Sequence, residues 1–306
     1  MKKKVTIIGA GLVGSTTAYS LLMKDNLEEI ALIDINEKLV EAEIMDLQHS
    51  VPFWGYTKIK KGTYKDVKDS KMVIIACGSS QEPGETRLDL IEDNKEIIDE
   101  VIGKVFKNNP DAILLMLTNP LDILTYRAIE EYPDKADQII GSGTVLDSAR
   151  FRVLLSQKLE INPQSIHAYI VGEHGDSELP LWSTATIGNV SLGEFTHLTE
   201  EEKESIFKRA KNAAYSIIGG KKSTYYAISA GATQIVEAIL FNKKKVLPVS
   251  HDPQGSCGVE GIALSLPVVL GGGGIEKRFN LNISPLEKEL LKKSENNLKN
   301  VYGSIG

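Results

Sequence analysis

Apolar residues fall in short runs separated by stretches with helical spacing. Val5–Ile8 is an apolar run that stops at Gly9, and Ser15–Met23 behind it has the period of an amphipathic helix. Glu29–Ile33 reads as a second strand and Glu37–Gln48 as a second helix. The same alternation continues through Met72–Ala76 (strand), Arg87–Lys107 (long helix), Ala112–Leu117 (strand), Leu121–Glu131 (helix) and Gln138–Gly141 (strand). Strands that are apolar throughout, alternating with helices, predict a parallel sheet covered on both faces. Ligands of such sheets bind at the carboxyl ends of the strands.

Past Gly143 the pattern becomes mixed. Leu146–Arg152 lies on a helical stretch, and Ile166–Val171 reads as a buried strand ending at Gly172. Thr199-x-x-Glu202 is a capping box that opens a helix to about Ile218, where Gly219-Gly220 is expected to break it. Thr224–Leu240 is helical again. Lys245–Val249 and Ile262–Leu270 are apolar strands, expected as a hairpin or small antiparallel sheet. Ser284-Pro-Leu-Glu287 is a second capping box, with Pro at the first helical position, and its helix runs to about Tyr302. The predicted class is α/β. A doubly wound parallel sheet over 1–142 is followed by a mixed α+β domain over 143–306.

Composition narrows the function classes. The chain has 306 residues with 42% hydrophobic content, enough for two sizeable cores. A net charge of -6 and no long basic run argue against nucleic acid; the Lys2–Lys4 cluster is short and terminal. Two cysteines, Cys77 and Cys257, cannot form a disulfide framework, so a reduced, cytoplasmic setting is expected. No apolar run is long enough to span a membrane. Gly9-Ala-Gly11 interrupts the first apolar run before it can serve as a signal peptide.

Candidate chemistry begins at Gly9-Ala-Gly11-Leu-Val-Gly14. A Gly-x-Gly-x-x-Gly between a strand and a helix is the dinucleotide fingerprint in its required context. The first glycine makes the turn, the second admits a pyrophosphate, and the third lets helix pack on strand. The helix N-terminus then faces phosphate with its partial positive charge. Asp34 closes the second strand, at the position for ribose hydroxyls. A carboxylate there repels a 2′-phosphate, so NAD is expected over NADP.

The second candidate is His174, flanked by Gly172 and Gly175. An imidazole at a strand end titrates near neutral pH and suits proton transfer. Asp147 and Arg150 are i and i+3 on one helix, so a carboxylate and a guanidinium share a face. Arg152 lies roughly 200° round that helix from Arg150 and points elsewhere. His167, seven residues before His174, falls on the opposite sheet face if the strand stays regular. Ser79–Arg87 is a polar loop with Pro83-Gly84 that could close as a lid, and Thr118-Asn119-Pro120 follows another strand end. Taken alone, each of these has an ordinary structural explanation: a turn histidine, an ion pair, a flexible loop.

Together the stretches resemble the L-lactate dehydrogenases, within the lactate/malate dehydrogenase family. The likeness runs from Val5 to the C-terminal helix. It is carried by Gly9–Gly14, Gln81-Glu-Pro-Gly-Glu-Thr-Arg-Leu-Asp-Leu90, Thr118-Asn-Pro120, Gly141-Ser-Gly-Thr-Val-Leu-Asp-Ser-Ala-Arg150 and Gly172-Glu-His-Gly-Asp176, in family order.

The resemblance implies NAD as cofactor and pyruvate or L-lactate as substrate. It gives the catalytic set as His174, Asp147 and Arg87: His174 exchanging the proton, Asp147 orienting it, Arg87 polarising the ketone. Arg150 would grip the substrate carboxylate, with Gln81, Asn119 and Thr224 completing the pocket. Cofactor contacts would be Gly9, Gly11, Val13, Gly14, Asp34, Tyr64, Gly78, Ser79, Leu117, Thr118, Asn119, Ser142 and Ile228. No metal site is expected. Malate dehydrogenases carry Arg where this chain has Gln81, so a monocarboxylate is preferred. Glu82 departs from the lactate enzymes, which usually have Lys there. Arg152 and His167 match the pair that binds fructose 1,6-bisphosphate between subunits of allosteric bacterial enzymes, which implies an effector and a homotetramer. The first strand starts almost at once, so the N-terminal arm of the vertebrate enzymes is expected to be lacking.

The alternatives within the class are a branched-chain 2-hydroxy acid dehydrogenase and a malate dehydrogenase. An NAD-dependent glycosidase would need a metal-binding Cys/His pair, and neither cysteine sits suitably for one. A non-catalytic NAD-binding module has no reason to keep Arg87, Asp147, Arg150 and His174 together.

Overall fold

The structure, a computed structural model, describes residues 3–79 and 87–304, with side chains from 91 onward in the second range. The first half runs β1 (Lys4–Ile8), α1 (Leu12–Leu22), β2 (Glu29–Ile33), α2 (Glu37–Trp54), β3 (Lys58–Lys61), β4 (Met72–Ile75), α3 (Arg87–Asn108), β5 (Ile113–Met116), α4 (Leu121–Glu131) and β6 (Ile139–Gly141). The second half runs α5 (Val145–Leu159), β7 (Ile166–His167), β8 (Ile170–Val171), β9 (Leu179–Pro180), β10 (Thr186–Ile187), β11 (Val190–Ser191), α6 (Leu192–Phe195), α7 (Glu200–Lys221), α8 (Tyr226–Leu240), β12 (Lys245–His251), β13 (Leu264–Gly271), β14 (Gly274–Lys277) and α9 (Pro285–Gly303).

Among the described residues the main sheet is ordered β14-β13-β12-β6-β5-β4-β1-β2-β3. The six strands from β3 to β6 are parallel, in the order of a dinucleotide-binding sheet, with the switch point between β1 and β4. Successive residues of one strand feed opposite cores, which is why these strands read as unbroken apolar runs. Met72 and Ile74 join Leu21, Val40 and Val236 from α1, α2 and α8. Val73 and Ile75 join Ile98, Ile102 and Leu124 from α3 and α4. Each such side chain stabilises the fold by roughly 1.5–3 kcal/mol through burial.

Four expectations change. The hairpin of β12 and β13 forms, but β12 also pairs with β6 at Ser250 opposite Gly141, so the hairpin extends the main sheet instead of standing alone. The strand expected over Ile166–Val171 splits into β7 and β8, which pair with β10 and β9 respectively. Within β8, Thr144 Oγ1 donates to the Ile170 carbonyl at 2.6 Å and Ser148 Oγ accepts from the Ile170 N–H at 2.9 Å, while Ile170 stays opposite Pro180 of β9. Gly219-Gly220 does not break α7, which continues to Lys221 and ends where Lys222 turns left-handed at φ 69°. Finally, α1 starts at Leu12, three residues before Ser15, which puts Gly14 inside its first turn. Both capping boxes form, with Thr199 accepting from the Glu202 N–H and Ser284 from the Glu287 N–H. The lysine-rich edge strand β3 had no visible apolar signal.

Candidate active site

The Gly turn sits at the carboxyl end of β1. Gly9 has φ 106°, and a Cβ there would lie 2.6 Å from the Ala76 carbonyl carbon, so the turn packs directly on the end of β4. A Cβ on Gly14 would lie 1.9 Å from the Gly9 carbonyl oxygen, whereas Gly11 faces open space. This is the shape the fingerprint requires: closed against the sheet, open toward a ligand. Asp34 at the end of β2 accepts the Ala10 N–H at 2.6 Å on Oδ2 and the Asn36 N–H at 2.8 Å on Oδ1. Each oxygen keeps a second lone pair for a ribose hydroxyl. These residues fit a dinucleotide.

The remaining predicted cofactor contacts surround the same edge. Val13 is half-buried, and its carbonyl accepts from Ser229 of α8 at 3.3 Å, next to Ile228. Tyr64 is half-buried against the α3 side of the sheet, and burial pushes its hydroxyl up to about 12. Gly78 and Ser79 are exposed past β4. Leu117 and Thr118 follow β5, with Thr118 Oγ1 donating to the Cys77 carbonyl at 2.6 Å. Ser142 is buried just after β6.

The His174 cluster is built from two elements, α5 and the loop after β8. His174 Nδ1 lies 2.7 Å from Asp147 Oδ2, and Arg150 Nη1 donates to Asp147 Oδ1 at 2.7 Å. The Asp147–Arg150 ion pair of the plain structural explanation therefore exists, and the imidazole is added to it. Asp147 is 2% exposed. Burial alone would push its carboxyl up; His174 and Arg150 hold it below the usual range. Burial alone would push His174 down, but the Asp147 charge and hydrogen bond, joined by Asp122 and Glu178, raise it to about 9. Glu178 is itself buried, with Oε1 unpartnered among the described residues. Burial and the Asp147 charge push its carboxyl up to about 8.

Asn119 is exposed at the head of α4, and Thr224 is half-buried between α7 and α8. Gln81 and Glu82 lie outside the described residues, as does the side chain of Arg87, which opens α3. Arg152 and His167 are not in this cluster. Arg152 is half-buried and donates to the Ser148 carbonyl at 3.3 Å, and His167 is exposed on β7.

Further supporting residues escaped the sequence reading, Asn94 and Lys245 among them. Asn94, fully buried on α3, accepts the Ser79 N–H at 2.7 Å and donates to the Asn119 carbonyl at 2.9 Å, tying the two loops together. Lys245 on β12 lies close enough to Arg152 that burial, Lys243 and Arg152 all lower its pKa. A polar residue on the buried face of α3 was the available signal for Asn94; nothing local marked Lys245.

Residues 3–141 match the NAD binding domain of the lactate/malate dehydrogenases, and residues 144–304 match that family's alpha/beta C-terminal domain. The chain belongs to the lactate/malate dehydrogenase family. It is 45% identical to an L-lactate dehydrogenase of Acetivibrio thermocellus, over 99% of this chain and 97% of that one. It is 41% identical to an L-lactate dehydrogenase of Thermus aquaticus, over 99% of each chain. Among solved structures, a minor L-lactate dehydrogenase from Enterococcus mundtii superposes with a TM-score of 0.96 at 38% identity, covering 100% of this chain and 99% of that one. Membership places the dinucleotide edge described above in the family's NAD-binding domain.

Proposed function

We propose that the chain is an NAD-dependent L-lactate dehydrogenase, interconverting pyruvate and L-lactate with His174 as proton donor and acceptor. The observation that carries this reading is the pair of 2.7 Å contacts that join His174 and Arg150 through the two oxygens of Asp147. NAD, when bound, supplies the hydride chemistry. Gly11, on the open side of the turn that Gly9 and Gly14 close, would admit its pyrophosphate, and Asp34 would hold its ribose.

The chain's own residues do the rest. His174 presents Nε2 to the substrate oxygen, because Nδ1 faces Asp147. Asp147 fixes the ring and stabilises its charged form. Arg150 has one nitrogen committed to Asp147, and its other N–H groups have no partner among the described residues. They can clamp a carboxylate with two parallel hydrogen bonds, a geometry Lys cannot copy. Arg87 polarises the ketone as negative charge grows on oxygen. Asn119 and Thr224 line the pocket, and Gln81 leaves a second carboxylate without a partner.

Loss of NADH absorbance with pyruvate, oxaloacetate and branched keto acids tests this reading. Pyruvate should be preferred. Gln81→Arg, or Gln81→Arg with Glu82→Lys, should shift kcat/KM toward oxaloacetate by tenfold or more, on the order of one added charge pair. A ratio that moves in neither variant overturns the assignment of Gln81.

Three further readings belong with this one. The working assembly is a homotetramer that binds fructose 1,6-bisphosphate at Arg152 and His167. Arg152 has no acidic partner among the described residues, and exposed Ile35, Met45, Phe53 and Tyr56 on and beside α2 suit contact with another copy. The setting is cytoplasmic, supported by two free cysteines. The division into an NAD domain over 1–142 and a substrate domain over 143–306 is supported by the change from alternating to mixed elements near Gly143.

A further inference from the structure

We propose that Asp122 is a positioning residue for His174: its carboxylate fixes the histidine's backbone to the start of α4 and keeps a second negative charge beside it. This rests on the reading of His174 as the acid/base group. Asp122 lies three residues past Asn119, in the first turn of α4, and is 3% exposed. Its Oδ2 accepts the His174 backbone N–H at 2.6 Å. Its Oδ1 accepts from Ser250 Oγ, a fully buried hydroxyl on β12 at the junction with β6. One carboxylate therefore joins the Asn119 segment, the His174 loop and the sheet junction, spanning 52 residues on one side and 128 on the other.

The geometry differs from that of Asp147. Asp147 holds the ring; Asp122 holds the chain that carries the ring. A ring can pivot about χ1 and χ2 while its Cα stays put, so orientation needs both anchors. Misplacing a reacting group by about 1 Å costs on the order of 10² in rate.

The groups facing Asp122 are His174 and Glu173 from the catalytic loop and Ser250 from β12. Those facing His174 are Asp147 from α5, Asp122 from α4 and Glu178 at the start of the segment leading into β9. Burial pushes Asp122 up to about 6 against the two hydrogen bonds it accepts. Above that pH it is an anion beside the imidazolium and favours the charged ring.

Two substitutions separate charge from grip. In Asp122→Asn, the amide oxygen can still accept the His174 N–H while the amide nitrogen donates to Ser250, so position is kept and charge is lost. In Asp122→Ala both are lost. The alkaline inflection of kcat/KM for pyruvate should move down by about 0.5–1 pH unit in Asp122→Asn. In Asp122→Ala, kcat should fall by more than about tenfold, with KM for pyruvate changed far less and NADH affinity retained. Ser250→Ala, which keeps the charge and loosens the grip, should lower kcat several-fold without moving the inflection, and it serves if Asp122→Ala does not fold.

An unmoved inflection in Asp122→Asn, or parent-like kcat in both Asp122→Ala and Ser250→Ala, overturns the proposal. So does a parallel loss of melting temperature and activity with no change of pH profile, because that marks a merely structural residue. His174→Ala should erase the inflection altogether. If it does not, the reading of His174 fails, which is a separate result.

Discussion

Three carboxylates, Asp147, Asp122 and Glu178, raise His174 to about 9, against an ordinary value of 6.5. A raised histidine pKa favours the protonated ring below that value. Stabilisation by the imidazolium is full below about 6.5 and is lost as pH rises through 9. On the proposed role of His174, pyruvate reduction needs the proton on the ring and lactate oxidation needs it absent. Reduction should therefore hold level through neutral pH and fall near 9, while oxidation rises over the same span. Glu178→Gln removes one anion and should move that fall to lower pH. His174→Ala should leave NADH binding intact, cut turnover by a factor on the order of 10² or more, and remove the inflection. Initial rates in both directions from pH 6 to 10, with NADH binding followed by fluorescence, check all three. At this scale the sequence was readable where partners are local. Asp147 and Arg150 announce themselves by i, i+3 spacing, and His174 by its flanking glycines. Asp122 and Asn94 did not, because each is a single polar residue whose partners lie elsewhere in the chain, and Glu178 did not, because nothing local marks a buried carboxylate.

Elements were legible wherever periodicity is strong. β1, β2, β4, β5 and β6 are buried on both faces, so their apolar runs are unbroken, and the capping boxes mark the starts of α7 and α9. The errors came where tertiary contacts overrule local signals. The Ile166–Val171 run has the composition of one strand, but its two ends pair with different partners, β10 and β9. Gly219 and Gly220 look like a break, yet a helix already nucleated carries through them at a cost of about 1 kcal/mol each relative to Ala. Neither glycine has a positive φ, and a Cβ on either would meet nothing within 4 Å. Gly219→Ala and Gly220→Ala should each stabilise the fold by about 0.5–1 kcal/mol, less toward the fraying end of α7. A higher denaturant midpoint at unchanged slope is the expected reading; a lower midpoint would mean that the helix end must stay loose.

For the whole molecule, the parallel half of the sheet was predictable from alternation, but its continuation through β12 to β14 was not. That step depends on Gly141 and Ser250 meeting across more than a hundred residues, which no local pattern records. Assembly is the corresponding open test. Fructose 1,6-bisphosphate should lower the apparent KM for pyruvate and tighten subunit association in the parent, and do neither in an Arg152→Gln, His167→Ala variant. Pyruvate saturation and sedimentation, each with and without the effector, read both quantities. An unresponsive parent ends the regulatory reading. The His174 loop is also held from the far end of the chain: Ser294 on α9 accepts the Glu173 N–H at 2.8 Å and contacts Ser177 Oγ at 3.0 Å. A protease that nicks ahead of Pro285 and releases the last helix would silence the enzyme while every residue that touches substrate stayed covalently in place. Loss of activity during storage or in a lysate would then report trimming of the tail, well before the sheet itself came apart.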